Sequence, residues 1–575
     1  MQKKIFLCLN IIALAVFLIL VCSILAAEYI RHDSPALGDF SLPVYYGYAF
    51  YQGDDVITSP MGFIYSLING VAFIFLDKFH LGLNKIVFTA SLFFSVGIVA
   101  IWALIRRFTQ YKIPFIVLMV TIFLACRPNA NALLYDLLTT WNAQYNFNQW
   151  GLVFLEMVLS ALIFSRKDIL LKQKDKDVYI LSAIYALFLY ITFNYKMNYF
   201  VGATLVALIP ALVFPVKKSI KFFLAIFIFF VLANIITGIV SGFDYFTYLE
   251  DLYNSFQARI VHDDRIRRTV KSKIFGVIEF ALIMGIIVFN KFISFMRGGG
   301  LDSLTRSVNK KSSVFIKFLS NFNFKIAVKY CLFTLILVLS VHIISTQNGG
   351  EGARYYLIPL AISFFVFCDA SCKKAILFMT CFIYIFYNGV LYARVFVKYD
   401  KSDYQEVVYN NINPNHKLKF FHEPKRFEII NENTRRRYNW LNMDVPDGSI
   451  LFDEVIDFYK KFGLNGDDKL FIEAGEGYNN APFIVNSKYP QNAKIQNWYD
   501  SISPLSKDLP DVYKKELEKY DIFIIQKIKA DTGGGQETVV KKYIMQNKDY
   551  EKIYQTQNLL FYAKKSWIKD RGIAK

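Results

Sequence analysis

The sequence predicts a polytopic α-helical membrane protein carrying a small α/β domain at its C-terminal end. Three observations lead there. Of the 575 residues, 55% are hydrophobic and 17% aromatic, more apolar than a water-soluble chain of this length usually is. Apolar runs that approach the roughly 20 residues a helix needs to cross a bilayer recur between residues 5 and 396. Beyond that point the apolar runs shorten, and turn signals such as Pro446-Asp447-Gly448 and Asn465-Gly466 appear. The chain therefore divides into a membrane domain, 1–396, and a soluble domain, 397–575.

The net charge of +19 does not point to nucleic acid. Much of the basic excess lies in short loops between apolar runs, the pattern that marks the cytoplasmic side. Residues 5–27 form the first span, running outward. Their apolar core exceeds the roughly 7–15 residues of a signal-peptide core, so the span reads as uncleaved, with a cytoplasmic N-terminus. A polar loop, 28–60, follows. The segment 61–80 contains Gly62 and Gly70, ends in Asp77, Lys78 and His80, and reads as a helix lying flat at the interface. If it spans instead, every later orientation inverts.

The run 86–105 returns to Arg106, Arg107 and Lys112, and 113–126 goes outward to a loop whose one basic residue is Arg127. Spans at 149–165, 178–194, 199–214 and 222–240 alternate between lysine-rich inner loops and outer ends. The span 274–290 leads to a basic inner stretch, 291–326. Spans at 327–345, 356–370 and 375–396 complete about eleven crossings. This leaves the C-terminal domain outside the cytoplasm. Within that domain, 468–475, 520–527 and 558–565 read as buried strands and 452–462 and 507–519 as helices. Thr532–Gly535 is a glycine-rich turn without the spacing of a phosphate-binding loop.

The seven cysteines, Cys8, Cys22, Cys126, Cys331, Cys368, Cys372 and Cys381, all lie in or beside apolar runs. That argues against a disulfide framework and against a zinc site.

The polar groups capable of chemistry collect at the outer ends of spans. The loop 28–60 holds four aspartates, Asp33, Asp39, Asp54 and Asp55, and the tyrosines Tyr45, Tyr46, Tyr48 and Tyr51. A carboxylate so placed can take a proton from a hydroxyl. The adjacent pair Asp54–Asp55 could bind a divalent cation or simply form a turn after Gly53. Lys196, in NYKMNYF, and Arg354, in GGEGARYY, are isolated cations on the outer side, suited to hold a phosphate. The loop 241–272 and its margin carry Arg259, Arg265, Arg267, Arg268, Lys271 and Lys273 against Asp263 and Asp264. Basic clusters beside a span commonly receive anionic lipid headgroups. Tyrosines such as Tyr46 can stack on a sugar or anchor the interface. Glu156, inside a span, is a costly carboxylate that favours a functional or paired role.

The arrangement of Asp39 in GDF, followed by YYGYAFYQGDDVITSPMGFIYSL, resembles the GT-C fold glycosyltransferases. These include the aminoarabinose and mannosyl transferases, of the glycosyltransferase 39 and RgtA/B/C/D-like kind. The segments 145–155 and 474–492 are similar to bacterial members. The family pattern is usually Asp-Glu and then a Pro-Pro pair, whereas this chain has Asp39-Phe40 and Ser59-Pro60-Met61-Gly62.

The resemblance implies an inverting glycosyltransferase of the bacterial cytoplasmic (inner) membrane. It would move a sugar from a polyprenyl-phosphate donor to an envelope glycan or lipid at the outer face. Asp39 and Asp55 are then the candidate catalytic acids, and Lys196, Arg354, Arg265, Arg268 and Tyr46 the candidate substrate contacts. No cofactor is implied beyond a possible divalent cation. Two other readings stay open: a flippase or transporter for a lipid-linked oligosaccharide, and a polymerase or ligase of the O-antigen type. The first calls for inverted repeats and mid-membrane polar groups, the second for a large late outer loop. The sequence shows no repeat, and the late outer loop 346–355 is short.

Overall fold

The computed structural model describes residues 42–52, 62–81, 85–105, 175–246, 248–250, 252–253, 280–285, 324–345, 405–409, 418–422, 448–464, 467–473, 511–527, 539–557 and 559–573, with scattered positions between 15 and 26 and between 277 and 288. The candidate residues Asp39, Asp55, Arg265, Arg268 and Arg354, together with Glu156 and the runs 113–126, 149–165, 356–370 and 375–396, lie outside the described residues.

Seven helices make up the described part of the first domain: α1 (Leu42–Tyr51), α2 (Phe63–Lys78), α3 (Ile86–Ile105), α4 (Asp175–Phe193), α5 (Met197–Val213), α6 (Val216–Ser241) and α7 (Phe324–Ser345). Helix α1 falls inside the segment expected to be a polar loop. Its residues after Pro43 are apolar and aromatic, and a proline in the first turn suits a helix start. Helix α6 begins earlier than the predicted 222–240. Pro215 stands at its N-cap with φ −60°, so Lys217, Lys218 and Lys221 form its opening turns rather than a separate loop. Its 26 residues reach about 39 Å. Among the described residues it is the one helix long and apolar enough to cross a membrane.

Most of the buried side chains of these helices are apolar, but small polar ones are buried among them and many aliphatic ones are exposed. Ser66, Asn69, Thr89, Ser91, Ser95, Ser182, Thr192 and Asn194 are buried, while Val71, Ile74, Val96, Leu187, Ile220, Phe227, Ile239 and Val240 are exposed. Several buried hydroxyls turn back onto their own helix: Ser95 onto the Ser91 carbonyl at 2.7 Å, and Ser182 onto Val178 at 2.8 Å. Helix α1 packs on α2 and α3, α4 on α5 and α6, and α5 on α7.

The α1–α2 contact fixes their relative direction. Tyr46 meets Tyr65 edge-on at 5.3 Å, and Tyr51 meets Phe73 at 5.2 Å, so the two helices run parallel. Glycines allow this close approach. A Cβ at Gly70 would fall 2.2 Å from the Phe50 ring, and one at Gly47 would fall 3.0 Å from the Asn69 carbonyl oxygen.

The second domain contains a hairpin of β1 (Gln405–Tyr409) and β2 (Leu418–His422) and a four-stranded sheet. The sheet strands are β3 (Leu470–Glu473), β4 (Ile522–Gln526), β5 (Tyr550–Gln555) and β6 (Leu559–Lys564), in the order β3-β4-β6-β5. The β3–β4 pair is parallel and the others antiparallel. Helices α8 (Gly448–Phe462), α9 (Asp511–Leu517), α10 (Val539–Gln546) and α11 (Lys565–Asp570) accompany it.

Residues 522–525 of β4 are buried at every position, as befits a central strand covered on both faces. Phe458 of α8 stacks on Phe561 of β6 at 4.2 Å. Asp468 sits at the base of the sheet. It accepts from Trp567 Nε1 at 2.9 Å, and Arg571 Nη2 reaches both of its oxygens at 2.6 Å.

Candidate functional site

The site grows from a corner in the chain. Helix α4 ends at Phe193, Asn194 and Tyr195 turn, and α5 starts after Lys196. The turn closes on itself: the amides of Asn194 and Lys196 bond to the carbonyls of Tyr190 and Thr192 at 3.0 and 2.9 Å. Its remaining carbonyls face another segment. The amide of Gly62 donates to Tyr195 at 2.8 Å, and that of Ile64 to Asn194 at 2.8 Å.

The first amides of a helix have no partner within the helix, and here the corner supplies partners for the start of α2. The approach demands a glycine, since a Cβ at position 62 would lie 2.2 Å from the Asn194 carbonyl oxygen. The polypeptide that carries the first-loop acids is thereby fastened to the corner that carries Lys196.

A third segment joins from the end of α6. Asn194 Nδ2 donates to Asn234 Oδ1 at 2.8 Å, and Tyr245 OH donates to Asn194 Oδ1 at 2.8 Å. Tyr248 OH donates to the Phe193 carbonyl at 3.0 Å. Asn234 lies within the apolar α6 and donates in turn to the Phe230 carbonyl at 2.8 Å. Around this node Phe193 packs against Tyr245 and Tyr248, with centroids 6.1 and 5.7 Å away.

Tyr46 is fully buried and belongs to a row of rings. Tyr65 contacts it at 5.3 Å, Tyr195 contacts Tyr65 at 5.9 Å, and Tyr199 contacts Tyr195 at 6.4 Å. Burial pushes the Tyr46 hydroxyl well up from its ordinary value, and Tyr65 and Tyr248 nearby push it further. Burial, and then Tyr65, does the same to Tyr195; burial is also the leading cause for Tyr248. These phenols stay protonated, so they act as walls and donors rather than as proton acceptors. Tyr51, on the same helix as Tyr46, is 44% exposed.

Lys196 is half-buried at the N-cap of α5. Of the candidate substrate contacts, Lys196 and Tyr46 are described, and the row of rings links their two elements. Asp39 precedes Leu42, the corner end of α1, by three residues, a reach of at most about 11 Å. Asp55 follows Gln52, at the opposite end of α1, by the same number. Among the described residues no group of three histidines, cysteines or acids is placed to hold a metal.

Sequence reasoning missed Asn194, Asn234, Tyr245 and the role of Gly62. Only Asn234 had a readable signal, an amide inside an apolar run. No family model, curated protein or solved structure matches the chain.

Proposed function

We propose that the chain is a polytopic membrane glycosyltransferase that moves a sugar from a polyprenyl-phosphate donor to an envelope acceptor at the outer face of a bacterial cytoplasmic membrane. The inward-facing polar side chains and outward-facing aliphatic ones support the membrane setting, because helices surrounded by lipid gain nothing from hiding their apolar faces. The observation that carries the reading is the pair of bonds from Gly62 and Ile64 to the corner before Lys196. They tie the acid-bearing first loop to a cation.

In the reaction, Asp39 accepts the proton of the acceptor hydroxyl. The resulting oxygen attacks the anomeric carbon from the side opposite the phosphate. The bond from that carbon to the phosphate oxygen breaks, and the polyprenyl phosphate leaves with the bonding pair, inverting the configuration. Lys196 offsets the charge that builds on the leaving phosphate. Asp39 is preferred to Asp55 because its chain reach starts at the corner end of α1, near Lys196. The buried tyrosines cannot replace it, since their protons are held too tightly.

The test is transfer of radiolabelled sugar from a polyprenyl-phosphate sugar by the full-length protein in proteoliposomes. Asp39→Asn is expected to lower the rate about 100-fold or more. Full activity in that variant would remove the assignment of the base. Lipid movement across the bilayer without sugar incorporation would replace transfer with transport.

A further inference from the structure

We propose that the amino end of α5 is a phosphate site, with Asn198 as a recognition residue beside Lys196. The inference deepens the reading above and rests on it for the identity of the lipid. Helix α5 runs 17 residues, Met197–Val213, and its N-cap Lys196 makes no side-chain cap bond. A helix amino terminus presents N–H groups and partial positive charge to an anion, but that alone is common to every helix.

Asn198 supplies the specific element. It is only 8% exposed. Its Oδ1 accepts from the Tyr199 amide at 3.0 Å, which pins the carboxamide onto the first turn. Its Nδ2, bonded to the same carbon, has no hydrogen-bond partner among the described residues. A buried donor left without an acceptor costs about 1–3 kcal/mol. A phosphate oxygen at the mouth of the helix would satisfy it.

The groups present are donors and a cation: the Asn198 amide N–H₂, the backbone amides of Met197 and Asn198 and the Lys196 ammonium. This set suits the phosphate monoester that forms as the polyprenyl phosphate leaves, more than the diester of the sugar-bearing donor.

The test uses full-length protein in nanodiscs of phosphatidylcholine and measures how fast an amine-acylating reagent modifies Lys196, read by peptide mass spectrometry. A polyprenyl monophosphate is expected to protect Lys196. Asn198→Asp keeps an oxygen for the Tyr199 amide while replacing the donor with an anion, and it should weaken that protection about tenfold or more. Asn198→Ala should weaken it less. Both variants are scored in protein whose 194–200 amides exchange hydrogen as in the parent.

Protection by inorganic phosphate at higher concentration supports recognition of the headgroup. Equal protection by phosphatidylglycerol, a diester, would overturn the monoester assignment. Unchanged protection in Asn198→Asp would overturn the site. Protection that responds to Asn198, in a protein that transfers no sugar, would defeat the transfer reading and leave the site standing.

Discussion

Asn234 shows what one polar residue can do inside an apolar helix. Its Oδ1 accepts from Asn194, which in turn receives Tyr245, so Asn234 ties the α4–α5 corner to α6 while Asn194 ties it to the segment after α6. Its neighbours in sequence gave no hint of a partner 40 residues away. Asn194 looked like an ordinary turn residue, and only packing shows that its amide is shared three ways. Asn234→Leu should remove the link and cost about 1 kcal/mol. This would be read as a lower unfolding midpoint in detergent and faster hydrogen exchange at 194–200. An unchanged exchange rate there would mean that the corner holds without Asn234. The tyrosines of the first loop were legible as a cluster but not as a buried row, because burial depends on which face of α1 meets α2.

The elements divide into those written locally and those imposed by neighbours. Strands β3, β4 and β6 lie within the predicted 468–475, 520–527 and 558–565, since unbroken apolar runs between turns leave little choice of structure. Strand β5 was not foreseen. YEKIYQ mixes charge into its face, and it is an edge strand paired only with β6. Helix α10, eight residues of VVKKYIMQ, is too short to announce itself by periodicity. Helix α1 was hidden by the polar residues on either side of it.

The start of α2 belongs to the second kind, because its first amides are satisfied by the corner at 194–195 rather than by a capping side chain. Gly62→Ala would drive a methyl into a backbone oxygen that cannot move alone. It should destabilise by about 1–3 kcal/mol and speed hydrogen exchange at both 62–66 and 194–200. Gly97→Ala, where a Cβ would meet nothing within 4 Å, should leave both stretches unchanged. If Gly62→Ala also leaves them unchanged, α2 does not depend on that contact.

At the scale of the whole molecule, the first domain is organised by the meeting of three sequence-distant segments: the end of the first loop, the α4–α5 corner and the start of the loop after α6. The outer side expected from charge asymmetry is the reason Lys196 stood out in the sequence. The sequence could not reveal that the segments touch, since contact is a property of the packed helices. Which polar and apolar side chains face inward was likewise invisible in composition. Only the fold shows that Ser66 and Asn69 face inward while Val71 and Ile74 face outward. The proposed chemistry depends on Asp39 and Lys196 opening to the same side of the membrane. The direct measurement starts from a cysteine-free background, with Asp39→Cys and Lys196→Cys introduced separately. A membrane-impermeant thiol reagent is then applied to right-side-out and inverted vesicles. Labelling of both positions from the outer side is the expected result, and labelling from opposite sides would contradict transfer by this pair.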